Sequence, residues 1–460
     1  MFGRLCSIQS LLIVVVFVSF YVAFSLYPRE VKYLTKDGRY LLDEKFYKEA
    51  KPAAIFSLAE AVLGLLPNRL LSLDLETLKT DAGWRCGAKE FWSHPYGEKA
   101  IKALLSAIET DKPPLTYLGT MMLRENFISW LCVQSQVNRL LNENPEIERE
   151  EIRSVVIAGA PRTGSTHMLS MLCKHPNATC LTFAESLAPI ASVSGQDILS
   201  WKDFRLYYSK IASAIVLTIR PLFKHMFKFG ALQPMEELQL GAIAFGSSIF
   251  LTNMYLPSYE KWFMENDHTP MEEYVRTLLK VIQYQRGGER KLWILKSPQN
   301  ADQLGPKMRV FPQANVVFMH REALPVLQSV IGMVCYTVGV FNKVDQVDYK
   351  KLARLWLNHQ RWSQVEGMSR ENVERHIRPL SKLMNIKFKD FMEDTVGTAL
   401  SVAKHAGLEV NDSIRDIFTR FQQESPQEGS KVLKYDIHSL GIQDEEVKRL
   451  FEPYEQLYLQ

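Results

Sequence analysis

Short, wholly apolar runs alternate along this chain with longer stretches whose apolar positions recur every three or four residues. Val155-Val156-Ile157 is a β-branched run of the kind that fills a buried parallel strand. Lys291-Leu292-Trp293-Ile294-Leu295-Lys296 and Ala314-Asn315-Val316-Val317-Phe318-Met319 read the same way. Helical spacing covers Ala53 to Leu66, Lys99 to Glu109 and Met121 to Leu141, with Phe127, Trp130, Leu131, Val137 and Leu140 as the buried face of the third. A further helix is predicted from about Met271 to Gln285, closed by Gly287-Gly288, and another from about Leu324 that contains Ser329. Strands alternating with helices predict an α/β domain whose parallel strands form a central sheet covered by helices on both faces.

The apolar pattern changes character at the N-terminus. From Leu5 to Pro28 there is no charged residue, and Leu11 to Leu26 is almost wholly apolar. That is long enough to span a bilayer, which predicts a retained membrane anchor in residues 1–29. A helical region, 30–150, is expected to pack on an α/β domain covering 151–460. Arg29, Lys32, Lys36 and Arg39 follow the apolar segment, against Arg4 before it, and the positive-inside count alone would place the domain in the cytosol. Hydrophobic and charged shares of 47% and 23% are those of an ordinary globular protein, and a net charge of +4 over 460 residues does not call for nucleic acid. The six cysteines have no metal-ligand spacing, so no structural zinc site is expected. Cys173 and Cys180 are near enough in sequence to pair or to stay as free thiols.

The chemistry is concentrated where strands meet helices. After Val155-Ile157 come Gly159 and Gly164 with four residues between them, then the helical pattern of Met168, Leu169, Met171 and Leu172. Strand, glycine loop and helix form the P-loop arrangement, which places backbone N–H groups and a helix N-terminus around phosphate. The residue after Gly164 is Ser165, where a kinase or nucleotidase carries Lys, so a nucleoside triphosphate is poorly supported. Arg162 offers a planar fork to a terminal oxyanion instead. Glu185 stands among small and apolar residues, a setting that desolvates a carboxylate and suits a general base. Lys296 and Arg321 each close an apolar strand, where ligands of open parallel sheets bind. Between Trp201 and Met264 aromatic and Met residues are dense, either as a pocket for an apolar acceptor or as core.

Pro161-Arg162-Thr163-Gly164-Ser165-Thr166 resembles the 5′-phosphosulfate loop of sulfotransferases that use 3′-phosphoadenosine 5′-phosphosulfate (PAPS). The likeness is to the branch with a P-R-[ST]-G-[ST]-T loop, which includes the broad sulfotransferase family 3 and the tyrosylprotein sulfotransferases. It runs from about residue 75 to the end. It implies that residues 162–166 hold the phosphosulfate, with Arg162 and Lys296 stabilising charge on the transferring group. Arg321 and Ser329 have the family's spacing for the 3′-phosphate, and Glu185, followed by Pro189, takes the place of the acceptor's base. His225, His268, Glu236 and Glu237 are alternative bases. Gly429, Ser430 and Lys431 are the nearest counterpart of the glycine-rich nucleotide segment of cytosolic relatives. No metal is called for in this scheme.

The resemblance implies transfer of a sulfuryl group to a hydroxyl or amine of a small-molecule, lipid, glycan or peptide acceptor. It also implies a single-pass Golgi protein with a lumenal domain, against the positive-inside count. A P-loop kinase-like enzyme and a catalytically silent, membrane-anchored binding protein are the competing readings.

Overall fold

A computed structural model describes residues 35, 38–50, 54–92, 94–425 and 432–460. The expected anchor in 1–29 and the segment Gly429–Lys431 lie outside the described residues.

Seven strands occur among them: β1 Tyr40–Leu42, β2 Ser154–Ala158, β3 Ala178–Thr179, β4 Leu292–Lys296, β5 Asn315–His320, β6 Leu383–Lys387 and β7 Leu433–Tyr435. Five form an all-parallel sheet in the order β3-β4-β2-β5-β6. The glycine-loop strand β2 is central, with β4 on one side and β5 on the other. The carboxyl ends of all three therefore open onto one crevice, as the rule for parallel sheets requires. β1 and β7 make a separate parallel pair, Tyr40 opposite Leu433.

Eight helices position the site: α1 Pro95–Asp111, α2 Tyr117–Glu143, α3 Ser165–Leu172, α4 Phe204–Ile219, α5 Thr269–Arg286, α6 Ala323–Thr337, α7 Tyr349–Arg361 and α8 Thr395–His405. Both sheet faces are covered, which explains why the strands are apolar throughout. Val156, Trp293 and Leu295 pack with Ala100 and Leu104 of α1, Phe127 and Leu131 of α2 and Leu278 of α5. Their neighbours Val155, Ile157, Ile294, Val317 and Met319 face the other way, onto Met168 and Leu169 of α3 and Ala399 and Ala403 of α8.

Predicted and observed helices agree in the middle and differ at the ends, where caps decide. Thr116 accepts the Gly119 amide at 2.8 Å and starts α2 four residues before the apolar pattern becomes visible. One helical run among the described residues, Ala323–Val340, is long and apolar enough to cross a membrane, yet most of it is buried in the fold.

Two disulfides tie helices to neighbours. Cys86–Cys132 joins the helix Leu75–Cys86 to α2, and Cys173–Cys180 joins the end of α3 to the segment after β3. The first pairing was not foreseen from sequence, and the second had been open. Cys335 is free and buried.

Three buried histidines make stability depend on pH. His359 of α7 lies 3.4 Å from both Glu260 and Asp302. Burial alone would lower its pKa, but the two carboxylates outweigh burial and raise it to about 9. Burial lowers His268 and His320 to about 4. Below the ordinary imidazole value of about 6.5 the contribution of His359 is fully present, and it is lost as pH rises through about 9. The other two act oppositely, costing stability as pH falls from about 6.5 towards 4. Thermal unfolding scanned across pH is thus expected to show a maximum near pH 6.5, with His359→Gln flattening the alkaline limb. A Tm that climbs between pH 7 and 9 would contradict this assignment.

Candidate active site

The loop after β2 is shaped by close backbone approach. Gly159 has φ 138°, and a side chain there would collide with the carbonyl oxygen of Met319 on β5. Arg162 adopts φ 71°, a left-handed conformation that costs a non-glycine residue energy and that functional loops tend to retain. Thr163 is fully buried and donates its hydroxyl to the Ala160 carbonyl at 2.8 Å, so it holds the loop's shape. Gly164, at φ 83°, precedes α3, whose first residues are a buried Ser165 and an exposed Thr166.

Lys296 closes β4 opposite Ile157 of β2. Its side chain is buried, with Nζ 3.2 Å from Thr166 Oγ1 and ion-paired to Glu236. The Lys296 amide donates to Glu237 Oε2 at 2.8 Å. The other oxygen of Glu237 accepts from Asn300 Nδ2 at 2.9 Å and lies 3.3 Å from Lys307 Nζ, while Asn300 also donates to the Ile157 carbonyl at 3.1 Å. Glu237 is thus a buried clamp between the ends of β2 and β4.

Arg321 directly follows β5. It donates from Nη1 to the Arg162 carbonyl at 2.7 Å, and its guanidinium lies 4.1 Å above the Phe388 ring. Its Nε is buried without a partner. Burial holds its pKa below the usual arginine value; the Glu322 carboxylate opposes that shift and the Arg162 charge adds a smaller push in the same direction as burial. Among the described residues neither Arg162 nor Arg321 forms an ion pair with a carboxylate, and the carboxylate whose charge bears on Arg321 is Glu322, the next residue in the chain.

Ser329, on the second turn of α6, lies beside the side chain of Tyr435 on β7. The Tyr435 ring packs against Gly332, where any side chain would displace it. Sequence reading did not single out Tyr435, because only the distant β1–β7 pairing brings it beside Ser329 and Arg162.

The acidic candidates separate cleanly. Glu185 is fully buried and caps its own short helix together with Thr182. Both of its oxygens are committed to Arg286 at the end of α5, Oε1 accepting from Nε at 2.8 Å and Oε2 from Nη2. Arg286 also donates to Thr179 Oγ1 at 2.6 Å and the Cys180 carbonyl at 2.9 Å. The sequence-based expectation of a base at Glu185 is therefore met by a carboxylate locked into a structural ion pair. Glu236, with 18% of its side chain exposed, is the carboxylate that reaches Lys296. The two glutamates are linked through backbone: Met235 N donates to Leu181 O at 2.8 Å and Phe183 N to Gln233 O at 2.9 Å. The strip ending in Glu236 thus rests on the segment that Glu185 and Arg286 fasten.

His268 is buried between Tyr96 and the Phe263 carbonyl and takes no part in this crevice. His225 is half-buried in the turn after α4, its ring 6.3 Å from that of Tyr40. Among the described residues, no cluster of three or more His, Cys, Asp or Glu side chains could hold a metal ion.

No curated protein matches the chain significantly. Two solved structures share its fold. The crystal structure of sulfotransferase STF9 from Mycobacterium avium aligns with TM-score 0.70 at 18% identity, over 84% of this chain and 97% of that one. Sulfotransferase STF1 from Mycobacterium tuberculosis aligns with TM-score 0.65 at 20% identity, over 82% and 98%. The sulfotransferase family profile matches residues 154–412, more than half of the chain, including the glycine loop, Lys296 and Arg321. With its loop, strand ends and crevice arranged as described, this chain belongs to the sulfotransferase family.

Proposed function

We propose that the protein transfers a sulfuryl group from PAPS to a hydroxyl or amine of an acceptor. The observation that carries this reading is the pair Arg162 and Arg321 at the glycine loop: among the described residues neither is ion-paired, and Arg321 Nε is buried without a partner. Two arginines beside a phosphate-binding loop, with guanidinium donors left open, suit a polyanion that accepts from both. Arg321 and Ser329 would hold the 3′-phosphate. Arg162, Thr166 and the amides of residues 162–167 would hold the 5′-phosphosulfate. The donor supplies an activated sulfuryl group. The acceptor oxygen or nitrogen bonds to sulfur as the bond from sulfur to the bridging phosphate oxygen breaks.

The chain's own residues then divide the work. Lys296 stabilises the charge developing on the leaving phosphate. Glu236 takes the acceptor's proton, and its ion pair with Lys296 holds that carboxylate beside the glycine loop. Glu237 holds the end of β4 against β2 and positions Lys296.

A lumenal Golgi location for a singly anchored chain is part of the same proposal. It is supported by the two disulfides, which suit an oxidising compartment, and by Asn177 of an Asn-Ala-Thr sequon, exposed in the turn closed by Cys173–Cys180.

The decisive experiment is calorimetric binding of adenosine 3′,5′-bisphosphate to the detergent-solubilised chain, with ATP and AMP as controls. Tight binding that depends on the 3′-phosphate is expected. Arg321→Ala is expected to weaken it about 100-fold, roughly 3 kcal/mol for a charge-assisted contact. ATP binding as tightly would overturn the proposal and favour a kinase-like site.

A further inference from the structure

The first half of helix α4 is inside out for a soluble protein, whereas its second half packs Ile215 and Val216 against the core and buries Ile219. Its inward face carries Arg205, Ser209 and Ser213, at 3%, 0% and 9% exposure, while Phe204, Tyr207 and Ile211 are 63%, 46% and 47% exposed. Positions three and four apart share a helix face, so the outward residues form one apolar stripe. Trp201, 74% exposed, extends it at the N-terminal end. The inward arginine is tolerated because the fully buried Asp203 accepts from both its Nε, at 3.0 Å, and its Nη2, at 2.7 Å. The fold thus spends a buried ion pair to keep aromatic side chains in the open. A stripe of large apolar side chains left so marks an interaction surface.

Two observations say what covers it. The first is charge. From Phe204 to Leu232 there is no Asp or Glu, and the exposed charged residues are Lys210, Lys224 and Lys228. Lys210 lies 5.8 Å above the Tyr207 ring, and Lys202 lies 5.9 Å above that of Trp201 while also pairing with Asp197. Aromatic side chains flanked by lysines are the pattern of a helix lying in a membrane interface.

The second observation is the tether. The uncharged stretch ends at Pro28, and residues 29–39 lead to β1. Eleven residues reach about 40 Å when fully extended. The Tyr40 ring lies 6.3 Å from that of His225, in the turn that follows α4. A bilayer holding the N-terminal segment is therefore within about 40 Å of this end of the helix.

We infer that α4 and Trp201 dock into the headgroup–acyl boundary of that bilayer, and that the acceptor is a membrane amphiphile presented there. The inference rests on the proposed sulfuryl transfer and on the reading of residues 5–28 as an anchor, and it names the acceptor class for the same site. The turn after α4 leads straight to the crevice, with Met226 accepting from Arg162 Nη1 at 3.5 Å. Around it Phe223, Phe227 and Phe229 form a partly buried wall, their ring centroids 5.2–6.3 Å apart. The hydroxyl-bearing head of an amphiphile reaches the loop while its apolar part lies on this wall.

The test uses the full chain in vesicles of four parts phosphatidylcholine to one part phosphatidylserine. In a Cys6→Ser background, an environment-sensitive fluorophore is placed at Ile211→Cys or, as a control, at Arg370→Cys, whose native side chain is 80% exposed. The remaining cysteines are paired or buried. Phospholipid brominated in its acyl chains is expected to quench the label at 211 several-fold more than at 370. Phe204→Ser with Tyr207→Ser should remove that difference while leaving adenosine 3′,5′-bisphosphate binding intact. Equal quenching at both positions, or none at 211, overturns the docking. So does a 211–211 disulfide between chains, which would mean that a second copy covers the stripe. A chain that fails to float with vesicles overturns anchor and docking together. Nucleotide binding in the same samples shows separately whether the sulfotransferase reading stands.

Discussion

Lys296→Ala is expected to slow sulfuryl transfer by about two to three orders of magnitude while leaving adenosine 3′,5′-bisphosphate affinity almost unchanged. The size follows from removing one preorganised charge aimed at a developing anion, about 3–4 kcal/mol of transition-state stabilisation. The split between rate and affinity follows from position. Lys296 lies against Thr166 and Glu236, on the β4 side of the loop, where the proposed donor would carry its sulfuryl group, whereas Arg321 and Ser329 gather on the β5 side. The measurement is release of adenosine 3′,5′-bisphosphate from PAPS with a saturating phenolic acceptor. Glu236→Gln, read in the same assay, should lower the rate by about 10²–10⁴, the range for loss of a general base. Unchanged turnover in Lys296→Ala would remove the lysine from the mechanism.

Arg286→Ala should instead act on stability, costing about 3–5 kcal/mol. It strands the Glu185 carboxylate in a fully buried site, and an unpaired buried charge is among the most destabilising single changes. Thr179 Oγ1 and the Cys180 carbonyl lose their donor as well. A drop of several degrees in Tm is expected, with nucleotide still bound by the molecules that remain folded. Glu185→Gln should give a smaller drop in Tm and a near-normal rate per folded molecule. If Glu185→Gln abolished transfer with Tm unchanged, Glu185 would be the base and Glu236 would not.

These two experiments mark where sequence reading succeeds and where it stops. The positions of the glycine loop, Lys296, Arg321 and Ser329 in the fold were legible because each is a local event: a strand end, a glycine turn, or a helix position at fixed spacing from a strand. The parallel sheet was legible because strands buried on both faces are apolar throughout. The ion pair of Glu185 was not, because its partner Arg286 lies about a hundred residues away and nothing local announces the pair. The same holds for the contact of Glu236 with Lys296. Cys86–Cys132 and the contact of Tyr435 with Ser329 likewise depend on distant segments meeting. Aromatic density between Trp201 and Met264 was visible, but only burial separates the exposed stripe of α4 from core residues such as Phe245, Phe250 and Tyr259.

The small sheet formed by β1 and β7 bears on how the protein is made. Tyr40 leaves the ribosome near the start of synthesis, and its partner Leu433 emerges near the end. At ordinary elongation rates of about 5–20 residues per second, the first strand waits roughly 20–80 s with an open edge. Tyr435, beside Ser329 and Arg162, is seated only when that edge is filled. Closure of this side of the crevice is therefore among the last steps of folding, and a nascent chain stalled short of residue 433 would have its glycine loop but not this wall. Ribosome-bound chains arrested at increasing lengths should acquire affinity for adenosine 3′,5′-bisphosphate late, once the C-terminal strand has cleared the exit tunnel.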